Sequence, residues 1–73
     1  MKHTFENTEV IESVEWDENH EGKQPVDVLV SRKDEGNFLY KNVEINALES
    51  LVGSTIPDAY FKGMFNHNSR IKQ

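Results

Sequence analysis

The topology is most visible in the segment Gly36-Asn37-Phe38-Leu39-Tyr40-Lys41-Asn42-Val43, where a turn signal is followed by two aromatic residues at period-two spacing. After this segment the spacing of apolar residues changes to that of a helix. Gly36 and Asn37 are the residues best able to adopt positive φ, so they predict a hairpin turn together with residues 32–35. Phe38 and Tyr40 then fall on one face of a strand. Asn42 is the predicted N-cap of the following helix, because its side chain can accept a hydrogen bond from the first helical turn.

Two further strands are predicted upstream of this stretch. Residues 10–17 are rich in β-branched and aromatic side chains, and Val14 and Trp16 alternate with polar residues, which favours a strand over the helical stripe that the first residues also fit. The polar residues that follow, up to Pro25, indicate a loop. In residues 26–31 every second side chain is a valine, which predicts a strand with one apolar face.

Two short helices are predicted downstream. The first has an apolar stripe and ends at Gly53, and the second begins at Pro57, a residue that suits the first helical position. Gly63 should weaken the second helix by about 1 kcal/mol relative to alanine. The two stripes comprise Ile45, Leu48, Leu51 and Val52, and then Tyr60, Phe61, Met64 and Phe65.

The expected fold class is therefore α+β: a small antiparallel meander of three or four strands, followed by one or two short helices packed on one face. Residues 1–73 are expected to form a single domain, with a polar N-terminal segment at 1–9. The tail at 66–73 is predicted either to be mobile or to dock as an edge strand. Trp16 and Leu48 are expected in the core.

Composition narrows the functional classes. The chain has no cysteine, which excludes disulfides, a thiol nucleophile and a thiolate metal site and predicts a cytoplasmic setting. No segment approaches the roughly 20 apolar residues that a membrane span needs, so no membrane partner is expected. The net charge is −5, and residues 1–30 carry eight acidic side chains against two lysines.

The order of these signals resembles the KTSC domain family, a short module found alone in bacteria and phages and at the C-terminus of some lysyl-tRNA synthetases. The family's opening Ile-x-Ser-Val-Gly-Tyr-Asp is similar to residues 11–17, and its central aromatic-x-Tyr after a glycine is similar to Gly36 with residues 38–40. Its Asn-Val-Pro and Tyr-Phe-Asn are similar to residues 42–44 and 60–62. The departures from the family pattern are Glu15, Trp16, Glu44 and Lys62.

The KTSC resemblance implies that the protein is bacterial or phage-encoded and that its fold is an antiparallel sheet followed by one or two helices. It also implies a suspected role in RNA binding and no catalytic residues.

No catalytic, cofactor or metal site is predicted. The ligand-type residues Asp17, Glu18, His20 and Glu21 lie in one loop, but their spacing matches neither a calcium loop nor a zinc pattern. The three histidines are far apart and have no evident nucleophile or orienting partner. An enzyme is therefore the least favoured class.

The leading hypothesis is a non-enzymatic interaction module that binds a basic protein surface through its acidic residues, because opposite charge steers association. The residues expected to carry it are Glu12, Glu15, Asp17 and Glu18. The chain is expected to be a monomer or a homodimer, a choice that the sequence leaves open.

The alternative is an RNA-binding domain. Phe38 and Tyr40 would form a platform on which bases stack if the sheet face were open. The competing interpretation, that both rings pack under the helix, is favoured for so small a chain. The basic companions of the platform would be Arg32, Lys33 and Lys41. A second basic group, Lys62, His67, Arg70 and Lys72, follows near the C-terminus, and phosphate binding requires such groups to converge.

Overall fold

The computed structural model describes residues 1–17 and 24–73, and this part of the chain contains five strands and two helices. The strands are β1 (Lys2–Thr4), β2 (Ile11–Trp16), β3 (Val26–Arg32), β4 (Gly36–Val43) and β5 (Arg70–Lys72). Helices α1 (Ile45–Val52) and α2 (Pro57–Met64) connect β4 to β5. The strands form one antiparallel sheet in the order β1-β2-β3-β4-β5. The α+β class is confirmed, but the sheet has five strands rather than three or four.

The two strands beyond the predicted three lie at the edges of the sheet. β1 falls within the segment expected to be only a polar lead, and that segment also buries Phe5 and Thr8. β5 pairs with β4, so the C-terminal tail docks as an edge strand, which was one of the two alternatives. Both edge strands are three residues long and carry lysines, features that discourage further strand pairing.

The core lies between one face of the sheet and the two helices. On that face, register aligns Val14 with Val30 and Phe38, and Trp16 with Val28 and Tyr40. Leu48, which is 2% exposed, is in the core as predicted, whereas Trp16 is only partly buried against it. The helical residues that complete the core are Ile45, Leu48, Leu51, Phe61 and Phe65.

Asn42 is not a helix cap, so this prediction is wrong. It lies inside β4 with a φ of 53°. The N-cap position of α1 is Glu44, two residues later, and the helix begins at Ile45. The ladder is irregular here, with Val26 opposite Val43 and Val28 opposite Tyr40, so Asp27 faces both Lys41 and Asn42. A bulge with a left-handed residue explains the arrangement, because asparagine tolerates that conformation better than most side chains.

The ends of the other elements follow the sequence more closely. Gly36 has a φ of 91°, as the hairpin turn requires, but Asn37 does not share the positive φ suggested for it. Pro57 begins α2, as predicted, and Gly53 follows the last residue of α1 without adopting positive φ. Each helix has eight residues, and no helix in the described part of the chain is long and apolar enough to cross a membrane.

Candidate functional site

The rings of Phe38 and Tyr40 are packed beneath the helices. Phe38 is 8% exposed and Tyr40 is 2% exposed. The Tyr40 ring makes edge contacts with Phe61 and Phe65, at centroid distances of 5.5 and 5.7 Å. The interpretation of both residues as core is confirmed, and neither offers a free face on which a base could stack.

Three cationic side chains surround the Phe38 ring. The guanidinium carbons of Arg32 and Arg70 lie 5.8 and 5.3 Å from the ring centroid, and Lys72 Nζ lies 4.8 Å from it. Register explains the placement of two of them, because β5 pairs Lys72 with Phe38 and Arg70 with Tyr40 on the helix-covered side of the sheet. These distances are typical of cation–π contacts.

A pocket of about 160 Å³ adjoins these residues, between β4, β5 and α2. Its polar lining includes Lys62, in the last turn of α2, and Asn66, which follows the end of that helix. We call it the Tyr40 pocket; its lining is Arg32, Tyr40, Phe61, Lys62, Phe65, Asn66 and Arg70. We call Arg32, Lys62, Arg70 and Lys72 together the basic cluster.

Arg32 is the most firmly held member of the basic cluster. Its side chain is 10% exposed and forms ion pairs with Asp34 at 2.9 Å and Glu35 at 2.8 Å. Its Nη1 donates a hydrogen bond to Tyr40 Oη at 3.1 Å. The hydrogen bond to Asp34 raises the pKa of Arg32 above its ordinary value; burial opposes this rise, and the bond to Tyr40 adds to it. Arg32 is therefore a fixed, permanently charged wall of the pocket.

Two other basic residues proposed for RNA binding point elsewhere. Lys33 Nζ donates to the Thr8 carbonyl oxygen at 2.6 Å, which ties the hairpin turn to the N-terminal segment. Lys41 Nζ binds Asp27 Oδ2 at 2.7 Å. That bond, with a second from the Asn42 N–H, lowers the pKa of Asp27. Of the predicted RNA-binding residues, the structure therefore brings Arg32, Phe38 and Tyr40 together and separates Lys33 and Lys41 from them.

The acidic residues of the protein-binding hypothesis occupy a different region. Glu12, Glu15 and Asp17 are exposed on or next to β2, and Glu15 lies on the sheet face away from the helices. Glu18 lies outside the described residues, as do most of the oxygen and nitrogen ligands considered for a metal in the same loop. Within residues 1–17 and 24–73, no three His, Asp or Glu side chains are grouped so as to hold a metal ion.

Sequence reasoning missed the role of Asp58. Its carboxylate accepts three successive backbone N–H groups, from Glu9 at 2.6 Å, Val10 at 3.2 Å and Ile11 at 3.1 Å. Burial acts to raise the pKa of Asp58, but these hydrogen bonds outweigh it and the pKa lies below its ordinary value. An aspartate in the first turn of a helix is a common dipole partner, so no sequence signal pointed to this long-range contact.

Sequence reasoning also missed the position of Asn66 in the lining of the Tyr40 pocket, because an asparagine after a helix is most often only a turn residue.

Comparison of the chain with protein-family models, with curated proteins and with solved structures found no match, so the resemblance to the KTSC family stays a prediction.

Proposed function

We propose that this chain is a non-enzymatic module that binds single-stranded RNA by its phosphates, through the basic cluster. The observation that carries the proposal is the convergence of four cations from three separate segments of the chain around Phe38 and the Tyr40 pocket. Phosphate affinity grows with the number of charges neutralised, so convergence is the property that such a surface requires.

Burial of the aromatic rings favours contacts with RNA phosphates over contacts with RNA bases. Phe38 and Tyr40 cannot stack with bases, so the contacts go to the phosphates and base sequence is read weakly. A flexible single strand can place successive phosphates against a concave surface, which a regular duplex does less readily. Asp34 and Glu35 offset part of the charge of Arg32, so the effective positive charge is smaller than four.

The salt dependence of binding gives a quantitative test. With Arg32 largely neutralised by its ion pairs, about three cations neutralise phosphate charge, and the slope of log K against log salt is about −2. The affinity then falls about 20-fold between 50 and 200 mM salt. Fluorescence anisotropy with a labelled ten-nucleotide RNA measures this slope, and an absence of binding near 50 mM salt would contradict the proposal.

Matched variants locate the contacts. Arg70→Gln and Lys62→Gln each remove one charge from the cluster and should each reduce the slope by about 0.7. Lys2→Gln removes the same charge from β1, at the opposite edge of the sheet, and should leave the slope unchanged. An equal effect of all three substitutions would mean that only net charge matters and that the cluster is not the site.

A second candidate is binding of a basic protein surface, and the uncovered face of the sheet favours it. There, register places Glu15 in a row with Leu29, Leu39 and Ile71. Leu29 and Leu39 are partly buried and Ile71 is 54% exposed, so an acidic group adjoins apolar surface. Such a combination suits a partner with basic and apolar side chains.

The protein-binding candidate is tested by pull-down from bacterial lysate. A specific partner should be captured by the parent chain, lost on Glu12→Gln/Glu15→Gln, and retained by Glu44→Gln, an exposed acid at the start of α1. Capture should also weaken steeply with salt. Recovery no greater than that of a charge-matched control would remove this candidate.

A further inference from the structure

The Tyr40 pocket is large enough for a tetrahedral anion. Its volume is about 160 Å³, below the roughly 300–1,000 Å³ of pockets that take drug-sized ligands, and it is open to solvent on one side. One phosphate group fits in this volume with its oxygens against the lining. The aromatic lining is rigid, since Phe61 is 3% and Phe65 is 1% exposed, so the pocket does not widen without disturbing the core.

The polar groups of the pocket are donors. Arg32 Nη1 uses the Tyr40 oxygen as an acceptor, which leaves the Tyr40 hydroxyl proton to donate in turn. Lys62, Arg70 and the Asn66 amide add further donors to the same lining. Carboxylate neighbours of Arg32 do not line the pocket. Donors outnumber acceptors in this lining, which favours a group with several acceptor oxygens.

The number of charges distinguishes two kinds of phosphate. An internal phosphodiester carries one negative charge and has a chain leaving on each side, which leaves only two oxygens free to accept hydrogen bonds from the lining. A terminal phosphate monoester carries about −1.5 to −2 charges at pH 7, presents three acceptor oxygens and has a single link. Arg32 is offset by Asp34 and Glu35, so Lys62 and Arg70 supply the net positive charge at the pocket. Two positive charges match the monoester better than the diester.

We propose that the Tyr40 pocket binds a phosphate monoester, held by Arg32, Lys62 and Arg70 with hydrogen bonds from Tyr40 and Asn66. The identity of the molecule that carries this monoester rests on the function proposed above. The monoester is the terminal phosphate of a single-stranded RNA, whose next phosphates lie along Lys72 on β5. The module thereby prefers RNA ends to internal segments.

Calorimetry with three unlabelled ten-nucleotide uridine strands tests this preference. One strand has a 5′-phosphate, one a 3′-phosphate, and one hydroxyl groups at both ends. A strand with a terminal phosphate should bind about tenfold more tightly than the hydroxyl-ended strand, the size expected for charge-assisted hydrogen bonds to one group. Tyr40→Phe and Arg70→Gln should each remove most of that advantage, and Lys2→Gln should keep it.

A second measurement is independent of RNA. Amide chemical shifts are followed during titration with inorganic phosphate and, at matched ionic strength, with acetate. Phosphate should move the Tyr40 and Asn66 signals and acetate should not, and the same spectra show whether each variant is folded. Arg70 is exposed, so its substitution tests the pocket even if loss of the Tyr40 hydroxyl perturbs the core.

The outcomes separate the two proposals. Equal binding of all three strands overturns the monoester pocket and leaves RNA binding standing. If phosphate causes specific chemical-shift changes but no strand binds, the Tyr40 pocket is a phosphate site and the proposal that RNA supplies the phosphate is overturned. If phosphate acts no differently from acetate and no strand binds, both proposals are wrong.

Discussion

Arg32 Nη1 donates a hydrogen bond to Tyr40 Oη at 3.1 Å, and this contact links the core to the charged surface. Tyr40 packs its ring against α2, so its hydroxyl is held at a fixed point beside the pocket. Arg32 is anchored on its other side by Asp34 and Glu35 in the hairpin turn. The hairpin, the core and the pocket wall therefore depend on one guanidinium.

Arg32→Lys should destabilise the fold by about 1–2 kcal/mol, because an ammonium cannot make the bidentate contact with Asp34 and also reach Tyr40. The ion pairs account for only part of this loss, since Asp34 and Glu35 are 40% and 50% exposed. Urea denaturation measures the change. A variant as stable as the parent would show that the geometry of the guanidinium is unimportant.

Asp58→Asn should cost about 1–3 kcal/mol at pH 7, because a carboxylate that satisfies three backbone N–H groups is replaced by an amide with one acceptor oxygen. The folded pKa of Asp58 is lowered, so its stabilisation is complete above the unfolded value of about 3.9 and is lost as pH falls through the folded value.

The difference in unfolding free energy between the parent and Asp58→Asn should therefore shrink from pH 5 towards pH 2. Urea midpoints across this range test the sign. Glu44→Gln is the control, because Glu44 is exposed and its side chain makes no capping hydrogen bond. A difference in unfolding free energy that stays constant with pH would show that the Asp58 carboxylate is not the source of the stabilisation.

Leu48→Ala should lower the unfolding free energy by about 2–5 kcal/mol, because Leu48 lies on the buried side of α1 and is 2% exposed. A loss of this size is enough to unfold much of so small a domain. Ser50→Ala, on the exposed side of the same helix, should change the unfolding free energy by less than about 0.5 kcal/mol. Similar denaturation midpoints for both variants would mean that the helix does not pack through Leu48.

Substitution of two glycines by alanine should have opposite effects. Gly63→Ala places a methyl group where no atom lies within 4 Å and should stabilise α2 by about 0.5–1 kcal/mol. Gly36→Ala forces alanine into a φ of 91° and brings its methyl group within 3.3 Å of Lys72 Nζ, so it should destabilise by about 1–2 kcal/mol. Thermal melting of the two variants compares the signs directly.

Much of the fold could be predicted from periodicity. The alternating valines predicted β3, and the alternating aromatics Phe38 and Tyr40 predicted β4. The apolar stripes that end near Gly53 and begin at Pro57 predicted the two helices. These elements are long enough for a pattern to be visible and bury one face each. The three-residue strands β1 and β5 show no such pattern, because their pairing is determined by partners far away in the chain.

The candidate site was predicted only in its parts. The basic residues were visible, but their convergence depends on β5 pairing with β4, which brings Arg70 and Lys72 next to Tyr40 and Phe38. Asn42 shows the limit of local reasoning, since a residue suited to a helix cap is equally suited to a left-handed bulge. The left-handed bulge is accompanied by contacts that are distant in sequence, in which the Asp27 carboxylate accepts hydrogen bonds from Lys41 Nζ and the Asn42 N–H.

RNA bound through the basic cluster has a defined location on the protein, which chemical shifts can map. Amide chemical shifts are recorded for the parent chain at about 50 mM salt, where electrostatic contacts are strong, with and without a ten-nucleotide uridine strand. Binding through the basic cluster predicts perturbations confined to β5, the end of α2, Arg32 at the end of β3 and the β4 residues beside them. Perturbations centred on β1 and β2, or none at saturating RNA, would contradict it.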